Sequence, residues 1–175
     1  MAAASEYLYL IALGSNQRHH SLGSPVRIVA HAFDALEMTD IALYAASSII
    51  TSRPIGPSQR AYANAAAIIL TPLPPPMLLK RLKSLEAHFG RRRAGQKWRA
   101  RILDLDIILW SGGVYAGRGE SLQIPHPEMQ RRRFVLQPAR KIAANWRDPI
   151  SGMRIKHLCT RINRANRLDP RRTGN

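Results

Sequence analysis

Cysteine is all but missing. Cys159 is the single one in 175 residues, so no internal disulfide framework and no cysteine-rich zinc site can form. One thiol fits a reducing compartment. The N-terminal part also lacks a long apolar run. Its stretch from Tyr7 to Leu13 is too short for a membrane span, follows Glu6 rather than a basic segment, and stops at Gly14-Ser15-Asn16. It reads as neither anchor nor signal peptide, and the expectation is a cytosolic protein with no membrane partner. A Walker-type glycine loop, a Cys or His metal cluster and a Gly-x-Ser-x-Gly elbow are missing too, so none of those sites can be assigned from its motif. Acidic residues are few: 11 against 27 Lys and Arg, a net charge of +16. Such a field attracts anions, and the candidate classes are nucleic acid, acidic lipid and phosphorylated small molecules.

What is present is ordinary for a folded protein. The 45% hydrophobic content argues against global disorder. The length suits one domain, read as residues 1–160, with a basic tail at 161–175 that looks frayed. Tyr7 to Leu13 reads as a strand buried on both faces. Ser24 as N-cap, Pro25 in the first turn and the stripe Val29, Phe33, Leu36 predict a helix. Ile41 to Thr51 is rich in β-branched and small residues and ends at a Pro-Gly loop, 53–57. Asn64 to Leu70 reads as a third strand. A second helix starts near Pro76, with Leu78, Leu82, Leu85 and Phe89 on one face and Gly90 as its stop signal. A basic loop, 91–101, leads to a fourth strand, Ile102 to Trp110, and 132–144 reads as a third helix.

The order strand, helix, strand, strand, helix, strand predicts an α+β ferredoxin-like sandwich, flanking helices on one face of an antiparallel four-stranded sheet, with C-terminal additions. In that topology the end of the first strand, the loop between the second and third, and the start of the fourth share one edge. Gly14-Ser15-Asn16, the 54–57 loop, Asn64 and the 91–106 stretch meet there.

Asp104 and Asp106 are two apart on the fourth strand, so both project from one face while Leu103, Leu105 and Ile107 turn to the core. Two carboxylates at this spacing can hold one or two Mg²⁺ ions and leave room for phosphate. The competing reading, a solvated strand face, is favoured for a bare Asp-x-Asp. The setting changes the balance. The pair follows Arg91-Arg92-Arg93, Lys97-Trp98-Arg99 and Arg101, and guanidiniums neutralise the phosphates that a metal bridges. Arg91 to Arg93 also sits at a helix end, where cations complement the dipole in any case. Trp98 is either core or a ligand cover, and His126 is either structural or a phosphate contact.

Taken together, these segments resemble the 6-hydroxymethyl-7,8-dihydropterin pyrophosphokinases of folate synthesis. The matching pieces are 12–16, 53–57, 62–66, Glu86 with 90–93, Trp98, 101–106, 124–127 and 132–136, in family order over roughly residues 7 to 160. The resemblance implies transfer of pyrophosphate from ATP to the pterin hydroxymethyl group, with AMP released. It implies that Asp104 and Asp106 carry two Mg²⁺ ions and that Arg91 and Arg101 stand nearest the transfer. Arg93, Trp98, His126 and Arg132 would hold ATP. Asn64 would bond the pterin edge and Phe134 stack on it, with Ser52, Ile55 and Tyr62 completing that pocket. The chain departs from the family at Arg99 and Ala100, where a glycine and a small residue or proline are usual. It departs again at Arg53, where a small residue or proline often stands.

Two rival readings remain at this level. An RNA-binding module of the RRM type shares the strand and helix order, yet Asn64 to Leu70 carries none of the aromatics that such a sheet reads bases with. A catalytically silent relative would not need both aspartates and the arginines. No extended apolar surface stripe declares a dimer, so the expected state is a monomer that requires no nucleic acid.

Overall fold

The computed structural model describes residues 6–37, 40–52, 62–90, 102–117 and 122–168. Within them the order is β1 (Tyr7–Ser15), α1 (Pro25–Glu37), β2 (Ala42–Ala46), β3 (Ile50–Ser52), β4 (Tyr62–Thr71), α2 (Pro75–His88) and β5 (Asp104–Trp110). After these come β6 (Tyr115–Ala116), β7 (Gln123–Ile124), a 3-10 turn (Met129–Arg131), α3 (Arg133–Ala143) and α4 (Ile155–Leu168). The main sheet runs β2-β4-β1-β5, with β3 also on β4, and every pairing is antiparallel. This is the ferredoxin-like order that the sequence predicts.

The expected second strand is divided into β2 and β3, and Ser47 shows why. Its N–H donates to Ala66 O at 2.9 Å, while its hydroxyl accepts from Ala66 N–H at 2.9 Å. The side chain thus replaces a ladder bond where the strand bends. β2 carries a bulge of its own, between Leu43 and Ala45.

Two cores follow from the two faces of the sheet. On the first, Tyr9, Ile11, Leu13, Leu105 and Ile107 pack against Ile28, Val29, Ala32 and Leu36 of α1 and Leu78 and Leu82 of α2. On the second, Leu10, Ala66, Ile68 and Ile108 pack against Val135, Leu136 and Ala139 of α3 and Ile155, Leu158 and Cys159 of α4. The helices therefore cover both faces, not one. Gly90 ends α2 at φ +87°, as a C-terminal glycine should.

Residue 161, the expected start of a frayed tail, lies inside α4. Ile155, Leu158, Cys159 and Ile162 recur at i, i+3, i+4 and i+7, and the first three are fully buried. Burying each Ile or Leu contributes roughly 1.5–3 kcal/mol, which outweighs the helix's charged exterior. Residues 161–168 therefore continue the helix, and 169–175 lie outside the described residues.

At the far end of the sheet Tyr9 is buried and its hydroxyl donates to Leu73 O at 2.7 Å. Burial raises its pKa well above the usual phenol value. Trp110 stacks on Tyr9 with ring centroids 6.3 Å apart, and Tyr7 and Tyr115 meet the same indole edge-on. The chain turns directly over that indole. A Cβ on Gly112 would lie 2.3 Å from Trp110 Cζ2. Gly112→Ala is therefore expected to destabilise the fold by about 1–3 kcal/mol, read as a lower urea midpoint at unchanged slope. An unmoved midpoint would mean the indole has room to swing aside.

Candidate active site

Across three strands the register puts Asn64 opposite Gly14 and Gly14 opposite Asp104. One step along, Ala66 faces Ala12 and Ala12 faces Asp106. All six share the second face of the sheet. Asn64 and Asp104 stand two strands apart, roughly 10 Å. A Cβ on Gly14 would come 3.6 Å from Asn64 Oδ1, so glycine keeps this row low where a large residue would fill it. The burial pattern marks the opening. Ala12, Gly14, Asp104 and Asp106 are partly exposed, whereas their neighbours Leu13 and Leu105 are buried in the first core. α3 covers the rest of this face and leaves that end uncovered.

Asp106 is the electrostatic centre of the described site. Arg132 Nη1 lies 3.5 Å from its Oδ2, and His126 Nε2 lies 3.9 Å from the same oxygen. His126 is held by its backbone, whose N–H donates to Ile108 O at 3.0 Å, tying residue 126 to β5. Its Nδ1 accepts the Glu128 N–H at 3.1 Å. The neutral ring therefore carries its proton on Nε2, towards Asp106. Burial lowers the pKa of His126, Asp106 pulls it back up, and the Arg132 guanidinium lowers it further. Arg132 sits just before the first turn of α3, and its guanidinium lies 5.9 Å from the centre of the Phe134 ring. Phe134 is half-buried against the second core.

The remaining expected residues divide into two groups. Tyr62 and Asn64 lie on β4 with side chains on the site face; Asn64 is buried and Tyr62 half-buried. Ser52 pairs with Tyr62 through the β3–β4 ladder. Ile55, Arg91, Arg93, Trp98 and Arg101 lie outside the described residues, as do Arg53 and Arg99. The fold thus gathers Asp104, Asp106, His126, Arg132, Phe134, Tyr62 and Asn64 around one end of one face.

Among the described residues no three His, Cys, Asp or Glu side chains cluster. The donor set for a metal is therefore two carboxylates, hard oxygens with water access. That fits Mg²⁺, which keeps several waters and completes its shell with substrate phosphates. It does not fit zinc, which takes nitrogen and sulfur ligands. The arrangement also leaves the RNA-binding alternative without support. That mode needs an open sheet face, whereas here helices cover both faces and the uncovered end presents carboxylates.

One residue was within reach of sequence reasoning but received no role. Glu86 lies on the buried stripe of α2 with Leu78 and Leu82, and it is 2% exposed. Its Oε1 accepts the Leu105 N–H at 2.8 Å. Among the described residues β5 has a strand partner on one side only, so this carboxylate pins the outer edge of the strand between the two aspartates. A carboxylate at a core-facing helical position was the available signal.

Comparison with known proteins agrees with this geometry. The family model for 7,8-dihydro-6-hydroxymethylpterin-pyrophosphokinase (HPPK) matches residues 10–144. Among individual relatives, a Synechocystis 2-amino-4-hydroxy-6-hydroxymethyldihydropteridine pyrophosphokinase is 43% identical over 116 residues. That match covers 66% of this chain and 58% of the relative, so the chain spans less than two thirds of that protein's length. The Haemophilus influenzae protein of the same name is 39% identical over 137 residues, covering 77% of this chain and 81% of the relative. In fold, the chain resembles the crystal structure of wild-type Plasmodium falciparum HPPK-DHPS with a TM-score of 0.75 at 11% identity, covering 98% of this chain and 43% of the other.

The Glu86 contact generates a stability prediction. Glu86→Leu leaves the buried Leu105 N–H without its acceptor and is expected to cost about 1–3 kcal/mol. Faster hydrogen exchange at the Leu105 amide should accompany the loss. Exchange as slow as in the wild type would remove Glu86 from the support of β5.

Proposed function

Because the chain belongs to the 7,8-dihydro-6-hydroxymethylpterin-pyrophosphokinase family, we propose that it transfers pyrophosphate from ATP to 6-hydroxymethyl-7,8-dihydropterin, releasing AMP, in folate biosynthesis. The observation that carries this reading is the convergence of His126 and Arg132, side chains of the kind that bind phosphate, on Asp106, with the Phe134 ring beside Arg132.

In this reaction the hydroxymethyl oxygen attacks the β-phosphorus of ATP. The bond from that phosphorus to the bridging α,β-oxygen breaks, the hydroxyl proton is lost and AMP departs. Such transfer asks a protein chiefly for alignment and charge neutralisation. Asp104 and Asp106 would hold two Mg²⁺ ions, which would neutralise charge on the phosphate oxygens. Arg132 and the Nε2–H of His126 already point at the Asp106 carboxylate, and the same donors serve phosphate oxygens. Arg91, Arg93 and Arg101, which precede β5 in sequence, add guanidiniums, with Arg91 and Arg101 nearest the transfer. Trp98 covers the bound nucleotide and excludes water, the competing nucleophile.

The pterin lies on the other side of the row. Asn64 bonds its polar edge, Phe134 stacks on its flat ring, and Tyr62, Ser52 and Ile55 close the pocket. Gly14 gives the ring room above the sheet. The enzyme works as a monomer in the cytosol and needs no nucleic acid. Among the described residues the large exposed apolar side chains, Val26, Tyr44, Met77, Val114 and Ile150, fall on separate elements. No described helix is long and apolar enough to cross a membrane.

The test of the reaction is AMP release from ATP, which should require both Mg²⁺ and the reduced hydroxymethylpterin. Asp106→Ala should lower turnover by several orders of magnitude with the fold intact. No AMP from folded wild-type protein under full conditions would sink the assignment. Phe134→Ala should weaken pterin binding by about 1–3 kcal/mol if the ring stacks as assigned; an unchanged pterin Kd would take Phe134 out of the pocket.

A further inference from the structure

Between His126 and Arg132, the two side chains that converge on Asp106, runs the 3-10 turn Met129–Arg131. Its hydrogen bonds bracket both of them. The Met129 N–H donates to His126 O at 2.9 Å and the Arg132 N–H to Met129 O at 3.3 Å. Met129 is buried in the second core and pins the turn from one side. Gln130 ties it to the C-terminal part of the chain. Its Nε2 donates to Asp148 Oδ2 at 2.7 Å, and its Oε1 accepts from Arg161 Nη2 on α4 at 2.5 Å.

Both anchors are themselves held. Asp148 is 1% exposed. Its carboxylate also accepts the Ile150 N–H at 3.0 Å and the Ser151 hydroxyl at 2.6 Å. Its backbone closes the loop through Gly152 N–H to Asp148 O and Asp148 N–H to Met153 O, at 2.8 and 3.0 Å. The Arg161 guanidinium also rests against Met153 Sδ at 3.5 Å. The amide meets both demands at once, its NH2 donating to the carboxylate and its carbonyl oxygen accepting from the guanidinium. A glutamate would set like charges together, and a lysine would lose the acceptor.

We propose that Gln130 is a positioning residue for the nucleotide phosphates. Through the 3-10 turn, the Asp148–Gln130–Arg161 chain sets where His126 and Arg132 stand beside Asp106. The loop after α3 and helix α4, both beyond the matched residues 10–144, are thereby part of the frame of the site. This rests on the reading above that His126 and Arg132 bind ATP phosphates.

The experiment uses the full chain, with Mg²⁺ and an ATP analogue whose α,β-bridging oxygen is replaced by methylene. Calorimetry gives the analogue Kd and steady-state kinetics the two KM values. Gln130→Met should raise the analogue Kd and the ATP KM about tenfold, the scale seen when a supporting partner of a ligand-binding group is lost. The pterin KM should stay within about twofold. In an Arg132→Ala background the same substitution should have a much smaller effect, because the group it positions is gone. Arg161→Met, a change at an exposed side chain, should shift the analogue Kd in the same direction by less. An unchanged Kd in Gln130→Met overturns the proposal. So does an equal fold-change in both backgrounds, or an equal loss for the pterin, since either marks general loosening. If Gln130→Met fails to fold, Arg161→Met decides, and a wild-type Kd there also overturns it. Wild-type protein that neither binds the analogue nor makes AMP sinks the proposed function itself, before any variant is made.

Discussion

The antiparallel pairing of β1 with β4 on one side and β5 on the other is the constraint from which the site follows. It places Gly14 between Asn64 and Asp104 and Ala12 between Ala66 and Asp106. Because side chains alternate along a strand, a slip of one residue in either pairing would send Asp104 and Asp106 into the first core and Leu105 into the site. The burial of Leu13, Leu105 and Ile107 under α1 and α2 opposes that slip. Among the described residues no strand lies along the outer edge of β5, and Glu86 serves there in place of a neighbour.

The second layer of helices then decides where the sheet is open. α3 and α4 bury Leu10, Ile68 and Ile108 but leave Ala12, Gly14 and the aspartates partly exposed. Arg132, at the start of α3, brings a cation to the opening, and His126 brings a donor to the same Asp106 oxygen. A site for polyphosphate chemistry needs this mixture, carboxylates to hold cations and cations to hold phosphates, in one partly desolvated place. The large positive charge of the chain attracts anions.

Much of this was legible from local pattern. The strands showed as apolar runs between turn residues, and α1 and α2 as stripes with proline at the start. The Asp104–Asp106 spacing placed both carboxylates on one face. The division into β2 and β3 was not legible, because it depends on the Ser47 hydroxyl meeting Ala66 across the sheet. Nor was the end of the domain. The charge of 161–175 suggested a tail, while the burial of Ile155, Leu158 and Cys159 depends on α3 already lying on the sheet.

By itself, then, the sequence determined the order of elements, the face of β5 that carries the aspartates, and through its motifs the family. Those are properties of neighbours along the chain, set by periods of two and of 3.6 residues. Only the tertiary structure decided what surrounds Asp106. His126, Arg132 and Glu86 approach the Asp104–Asp106 segment from elements distant in sequence, and Gln130 gains its importance from Asp148 and Arg161. Contacts of that kind arise when separate helices dock on a shared sheet, and no local spacing encodes them.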